Sequence, residues 1–209
     1  MTEHANNAPV EATAADMPAV VDDLAAAFAG DVLFDWLLRD DKRRDRARRV
    51  FFDALVRRVG LGTACIERPV DGGGAAIWLP PEATDPISLF RQIQLAPAML
   101  YATGGRRMAR LLALQSAIDA QRPMHRPYAY LWFIGVRPEL QGRGIGSRML
   151  DSAHARLDNL GLPAFLETQT ERNVTHFRNH GYEVTAQFLA RPDAPPMWGL
   201  WREPQKTLF

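Results

Sequence analysis

The segment from Tyr128 to Thr168 constrains this chain more than any other. Tyr128–Val136 is an almost unbroken apolar run, the pattern of a strand buried on both faces. A glycine loop follows, Gln141-Gly142-Arg143-Gly144-Ile145-Gly146-Ser147. Ile145, Met149, Ala153, Leu157 and Leu160 then recur at three- and four-residue steps, one apolar helix stripe. Gly161 and Pro163 stop that helix in the usual order, and Ala164–Thr168 reads as a second strand. Strand, loop, helix and strand in this order close as a right-handed parallel crossover. The fold class is therefore α/β, with a central mixed sheet flanked by helices.

The remaining segments fit around that unit. A helix capped by Asp16 runs to Ala29 and stops at Gly30, a short apolar piece spans Phe34–Leu38, and a basic helix ends near Val59-Gly60. Leu61–Glu67 and Ala75–Leu79 read as a hairpin across Asp71-Gly72-Gly73-Gly74. Pro86–Gln121 is helical with a break at Thr103-Gly104-Gly105, a short helix spans Arg172–His180, Tyr182–Phe188 alternates as a half-buried strand, and Met197–Trp201 is the last strand. Thr2–Ala8 carries no pattern, which predicts a disordered tail over 1–8 and one domain over 9–209.

Composition narrows the class. With 47% hydrophobic and 23% charged residues, the chain is neither disordered, collagen-like nor a coiled coil. No stretch reaches the ~18 uncharged apolar residues of a membrane span, so no membrane partner is expected. Met1-Thr2-Glu3-His4 lacks the basic start of a signal peptide, and a single cysteine, Cys65, excludes an internal disulfide; a cytoplasmic protein is the simplest reading. The net charge of +1 hides a segregation: residues 1–38 carry seven acids and no Lys or Arg, while residues 39–58 carry nine bases against four acids. Such an excess attracts nucleic acid in some proteins. Here Asp40–Arg44, Asp45–Arg49 and Asp53–Arg57 place an acid four residues before a base, which predicts a solvated helix face and no nucleic-acid partner.

Glycines at 142, 144 and 146, between a strand and a helix start, expose backbone N–H groups at the positive end of a helix, a cradle for phosphate. A P-loop is excluded, because the only lysines are Lys42 and Lys206. A dinucleotide fingerprint is excluded because Ser147 stands where its third glycine belongs, and a nucleophile elbow because Arg148-Met149 follows Ser147. The row from Val136 to Gly146 resembles instead the acetyl-coenzyme A loop of the GNAT superfamily, with Gln141, Gly144 and Gly146 in its fixed places. Leu24–Ala29, Ala76–Glu82, His125-Arg126-Pro127 and Pro163–Thr168 resemble, in the same order, the puromycin N-acetyltransferases of that superfamily; residues 86–122 match them weakly.

That resemblance implies direct transfer of an acetyl group from acetyl-coenzyme A to the primary amine of a small molecule, within a ternary complex and without a metal. It implies that backbone groups of Ile134, Gly135 and Val136 hold the pantetheine arm. The pyrophosphate falls to the amides of Gln141, Gly142, Arg143, Gly144, Ile145, Gly146 and Ser147, and Asn173 matches the coenzyme-binding asparagine. Glu167, in Phe165-Leu166-Glu167-Thr168, is the candidate base for the amine. The family commonly places a tyrosine four residues after the asparagine to protonate the thiolate. Phe177 stands there; it is counted with the coenzyme-binding residues and has no proton to give. Tyr182 is the expected substitute acid, with His176 and Tyr130 behind it.

Other candidates carry less. His176 and His180 are four apart and form at most half a metal site. Cys65 reads as core, and one or two of Trp78, Tyr101, Trp132 and Trp198 are expected to line an acceptor pocket. Because of Phe177, a non-catalytic acyl-coenzyme A-binding protein stays open as the alternative. Neither the acceptor nor the oligomeric state is legible.

Overall fold

The Asp71–Gly74 turn joins β2 (Cys65–Arg68) to β3 (Gly74–Leu79), and from that hairpin the sheet builds outward in both directions. In the computed structural model, which describes residues 8–57, 63–83, 89–123 and 126–205, the described residues form one mixed sheet. Its strand order is β1-β2-β3-β4-β5-β7-β6, with β1 at Val10–Glu11, β4 at Ala129–Val136, β5 at Ala164–Thr168, β6 at Glu183–Phe188 and β7 at Met197–Arg202. The pair β4–β5 is parallel; all others are antiparallel. The expected ends at 1–7 and at Val59-Gly60, and the first residues of the Leu61–Glu67 strand, lie outside the described residues.

Apolar cores cover both faces of the sheet. On one face lie α1 (Met17–Ala27), α2 (Val32–Leu37), α3 (Arg44–Leu55), α4 (Leu89–Thr103) and α5 (Met108–Gln121). Phe28, Phe34, Phe51, Phe52 and Phe133 interlock there with ring centroids 5.0–5.9 Å apart. On the other face, α6 (Ile145–Asn159) and α7 (Glu171–Arg178) bury Met149, Leu150, Ala153, Leu157, Val174 and Phe177. Leu160 departs from the expected stripe: as the residue capping the end of α6 it is 69% exposed. Phe34–Leu38 turns out to be mostly the helix α2, whose start Asp31 caps by accepting from Leu33 N–H (2.9 Å) and Phe34 N–H (3.1 Å). Among the described residues no helix is long and apolar enough to cross a membrane.

The basic segment differs from its expected role. Of the three acid–base pairs four residues apart, Asp53–Arg57 forms (2.6 Å), but Asp45 pairs with Arg48, Arg49 with Asp22 of α1, Arg44 with Asp35 and Asp40 with Arg107. Arg44 of this segment, with Arg107 and Arg110 from the start of α5, also serves the carbonyl end of α2. Arg44 donates to Asp35 C=O (3.0 Å), Arg110 to Trp36 C=O (2.8 Å) and Arg107 to the carbonyls of Asp35 and Leu38. The last carbonyls of a helix need partners and favour cations. Part of the basic excess is thus consumed inside the fold.

Two contacts fasten α1 across the sheet. Gly135 has no side chain, and a Cβ there would stand 2.7 Å from Ala27 Cβ, so the glycine is what lets helix and strand meet. Asp23, only 5% exposed, accepts from Arg137 Nε (2.6 Å) and from Gly73 N–H (2.9 Å), joining α1 to the β2–β3 turn and to the end of β4. Asp23→Ala leaves both donors without their acceptor and is expected to destabilise the fold by about 2–3 kcal/mol. Urea unfolding checks this; an unchanged midpoint would show the carboxylate to be dispensable.

Candidate active site

Strands β4 and β5 pair over three positions only, Ala129↔Ala164, Tyr130↔Phe165 and Leu131↔Leu166, and then part. Their other neighbours do not follow. β5 stays paired with β7 through Thr168, and β4 with β3 to Val136. One residue below the parting, β4 bulges: Trp78 faces Leu131 and Ile77 faces Phe133, so Trp132 is the extra residue. This explains why only the first three residues of β4 are fully buried, against the expectation of burial on both faces throughout.

The parting leaves one edge of β4 open. Arg137 N–H donates to Gly73 C=O at 2.8 Å, which fixes the alternation of the antiparallel ladder. Gly135 therefore turns its N–H and C=O toward β3, and Ile134 and Val136 turn theirs toward the gap. Val136 C=O is already taken by Gln141 Nε2 at 3.0 Å. Beyond it, Gly142 and Gly144 adopt φ of +77° and +73°, a conformation L side chains rarely accept. The first bond of α6 runs from Arg148 N–H to Gly144 C=O (3.0 Å), so the amides of Ile145, Gly146 and Ser147 point out of the helix start. A Cβ on Gly146 would meet nothing nearer than Val136 Cγ2 at 3.9 Å, so the protein itself does not require glycine there. Open amides at the positive end of a 15-residue helix, beside an open strand edge, fit a ligand with a phosphate group and an amide-bearing arm.

On the α1–α5 side the gap widens into a cavity of about 510 Å³. Glu167 and Tyr130 stand in its wall. Tyr130 follows from register: it faces Phe165, and Glu167 is two residues further along β5 on the same face. Its hydroxyl donates to Glu167 Oε2 at 2.7 Å. Glu167 Oε1 is buried, with no hydrogen-bond partner among the described residues. Burial pushes the Glu167 carboxyl from the usual 4.5 up to about 7, while the Tyr130 hydroxyl and the charge of Arg122 hold it back. Arg122 lies 5.0 Å over the Tyr130 ring. A carboxylate near neutral pKa with one open oxygen can take a proton from an incoming group.

Of the residues expected at the site, Ile134, Glu167, Asn173 and Phe177 line this cavity, and Trp132 alone among the four expected aromatics does. Asn173 sits in the first turn of α7, where its N–H donates to the capping Thr170 Oγ1 at 3.2 Å. The structure does not bring Tyr182 to the cavity. It is buried in the α6–α7 core, its hydroxyl 3.0 Å from His154 Nε2, and burial holds that hydroxyl protonated. His154 escaped the sequence reading, since a lone histidine in a helix stripe gives no local sign; burial, with Arg202 and His180 nearby, lowers it to about 3. Arg143 is exposed, its Nη2 3.5 Å from Glu139 C=O. Cys65 is half-buried on β2. His176 and His180 are neighbours, with ring centroids 4.6 Å apart, but no group of three potential metal ligands forms among the described residues.

Comparison with known proteins bears on the fold and on one segment of the chain. Residues 97–182 match the acetyltransferase (GNAT) family. The chain shares its fold with a histone acetyltransferase HPA2-related acetyltransferase from Corynebacterium glutamicum (TM-score 0.70, 21% identity, 97% of this chain and 99% of that one). It is similar to the polyamine N-acetyltransferase of Drosophila melanogaster, which forms N-acetylagmatine (0.62, 16%, 94% and 99%). It is also similar to arylalkylamine N-acetyltransferase 2 of Aedes aegypti (0.64, 9%, 96% and 100%).

The raised carboxyl has a consequence for stability that needs no substrate. A group with a folded pKa of about 7 and an unfolded value near 4.5 binds more protons in the native state. Stability therefore falls as pH rises through that window. Glu167→Gln, neutral throughout and still able to accept from Tyr130, is expected to gain on the parent by on the order of 2 kcal/mol between pH 4.5 and pH 8. Denaturant unfolding at both pH values checks it; a pH-independent difference would mean that the carboxyl is not raised.

Proposed function

We propose that this chain is a GNAT acetyltransferase, an acyltransferase that moves an acetyl group to the primary amine of a small molecule in the cytoplasm by direct attack within a ternary complex. The family implies acetyl-coenzyme A as co-substrate, which supplies the acyl group as an activated thioester. The observation that carries the reading is Glu167 Oε1, buried without a partner on a carboxyl of pKa about 7, where β4 and β5 part.

The residues divide the work. Ile134 and Val136 offer backbone groups on the open edge to the pantetheine arm, and the amides of Gly142 to Ser147 cradle the pyrophosphate, with Arg143 adding charge and Asn173 lying beside the cavity. Gly135 contributes through packing, not through its own backbone groups. Tyr130 occupies Glu167 Oε2 and so leaves Oε1 to face the amine. Glu167 takes the ammonium proton, freeing the lone pair that attacks the acyl carbon. Phe177 gives no proton and the Tyr182 hydroxyl is committed to His154. A thiol of pKa about 8.5 tolerates this, because its thiolate departs unaided and collects, through water, the second proton that the new amide nitrogen gives up. Puromycin belongs among the acceptors to test, on the resemblance of residues 24–29, 76–82 and 163–168 to enzymes that acetylate it.

Glu167→Gln is expected to lower kcat by ~10²-fold or more with little change in coenzyme affinity. The parent's kcat/KM should rise with pH through about 7, as Glu167 loses its proton, and this limb should be lost in the variant. Wild-type turnover with the same limb would remove Glu167 from the mechanism. Gly146→Val, which has room within the protein, is expected to weaken coenzyme A binding by ~10-fold or more while the fold is kept. Calorimetry checks it, and unchanged affinity would put the phosphate site elsewhere.

A further inference from the structure

We propose that the acceptor is a monoamine with an apolar body, an alkyl- or arylalkylamine carrying no second cation; this rests on the N-acetyltransferase reading above. The cavity walls are Phe28, Phe34, Phe51, Leu111 and Trp132 with the pliable side chains of Met99 and Met108. Its lip is apolar too: Ile93 and Leu112 line it while 64% and 63% exposed, so an apolar guest covers surface that water otherwise wets.

The carboxylates of the wall, and its Gln115, Gln169 and Tyr130 side chains, have partners within the protein. Two carboxylates line the cavity, Glu167 and Asp119. Asp119 Oδ1 accepts from Gln115 Nε2 at 2.9 Å and lies 3.6 Å from Arg122 Nε, so its charge is balanced from within. Gln169 Nε2 donates to Asp31, and the Tyr130 hydroxyl to Glu167. Glu167 Oε1 is the buried oxygen left over, and it serves the reacting nitrogen. A second ammonium further along the acceptor would enter an apolar wall without a counter-ion, at heavy cost. The methylenes or ring of a monoamine gain from the same wall.

Hexylamine and cadaverine test this, because they match in length and differ in one methyl against one ammonium; 2-phenylethylamine extends the apolar arm. Affinity for the coenzyme A-bound protein is measured by calorimetry, and kcat/KM with acetyl-coenzyme A by thiol release. Hexylamine and 2-phenylethylamine are expected to exceed cadaverine by ~10²-fold in both. Cadaverine equal to or better than hexylamine would overturn the proposal. Leu112→Asp, an exposed position on the lip, sets a carboxylate where the distal group emerges and is expected to narrow the ratio several-fold. An unchanged ratio would put recognition outside this cavity and overturn the proposal as well. Tight hexylamine binding with no thiol release from any amine sinks the transfer reading and keeps the acceptor class. Thiol release that favours cadaverine does the reverse.

Discussion

After Leu131 and Leu166, β4 and β5 no longer hydrogen-bond to each other, and the functional geometry depends on that parting. Strand edges inside a protein are costly, because each unpaired N–H and C=O has given up water without gaining a partner. The sheet tolerates this edge because each strand is held on its far side, β4 by β3 and β5 by β7. The gap opens into the apolar cavity beside α2–α5, and the open edge of β4 leads on to the glycine loop at the start of α6. Glu167 is the first residue of β5 past the last pair, so its carboxyl is buried without being enclosed by a ladder.

What could be read in the sequence was what is determined locally. The glycine loop announced itself because Gly142 and Gly144 take positive φ, and the helices because their apolar spacing survives in any tertiary setting. The breaks at Thr103-Gly104-Gly105 and Gly161 were likewise local. The parting of β4 and β5 is not: a continuous apolar run looks the same whether its neighbour stays or leaves, so Trp132–Val136 was read as fully buried when it is half-buried.

The side-chain partners show the same division. Arg44 and Arg49 sit at the right spacing for acids on their own helix, yet Asp35 and Asp22 hold them, because α2's carbonyl end and α1 lie within reach once the chain is folded. Tyr130 and Glu167 were both visible as candidates, but as separate ones; the register of two parallel strands is what makes them a pair. Tyr182 follows a glycine just after α7, a position that suggests chemistry, and its hydroxyl goes to a histidine that leaves no trace in the pattern.

The two halves of the site come from different stretches of chain. The cavity wall is drawn largely from residues 28–118, whereas the open edge, the loop and Asn173 all fall between 134 and 173. The matched family segment, 97–182, contains the whole of the second stretch together with α5 and the wall's residues of β4 and β5, and leaves out α2 and α3. Only Ile134 and Asn173, of the residues named for the second stretch, also stand in the wall. On the proposed function, substitutions in α2–α5 reshape the apolar wall while the open edge and the glycine loop keep their geometry, so a lineage built on this plan can change its target amine one cavity residue at a time.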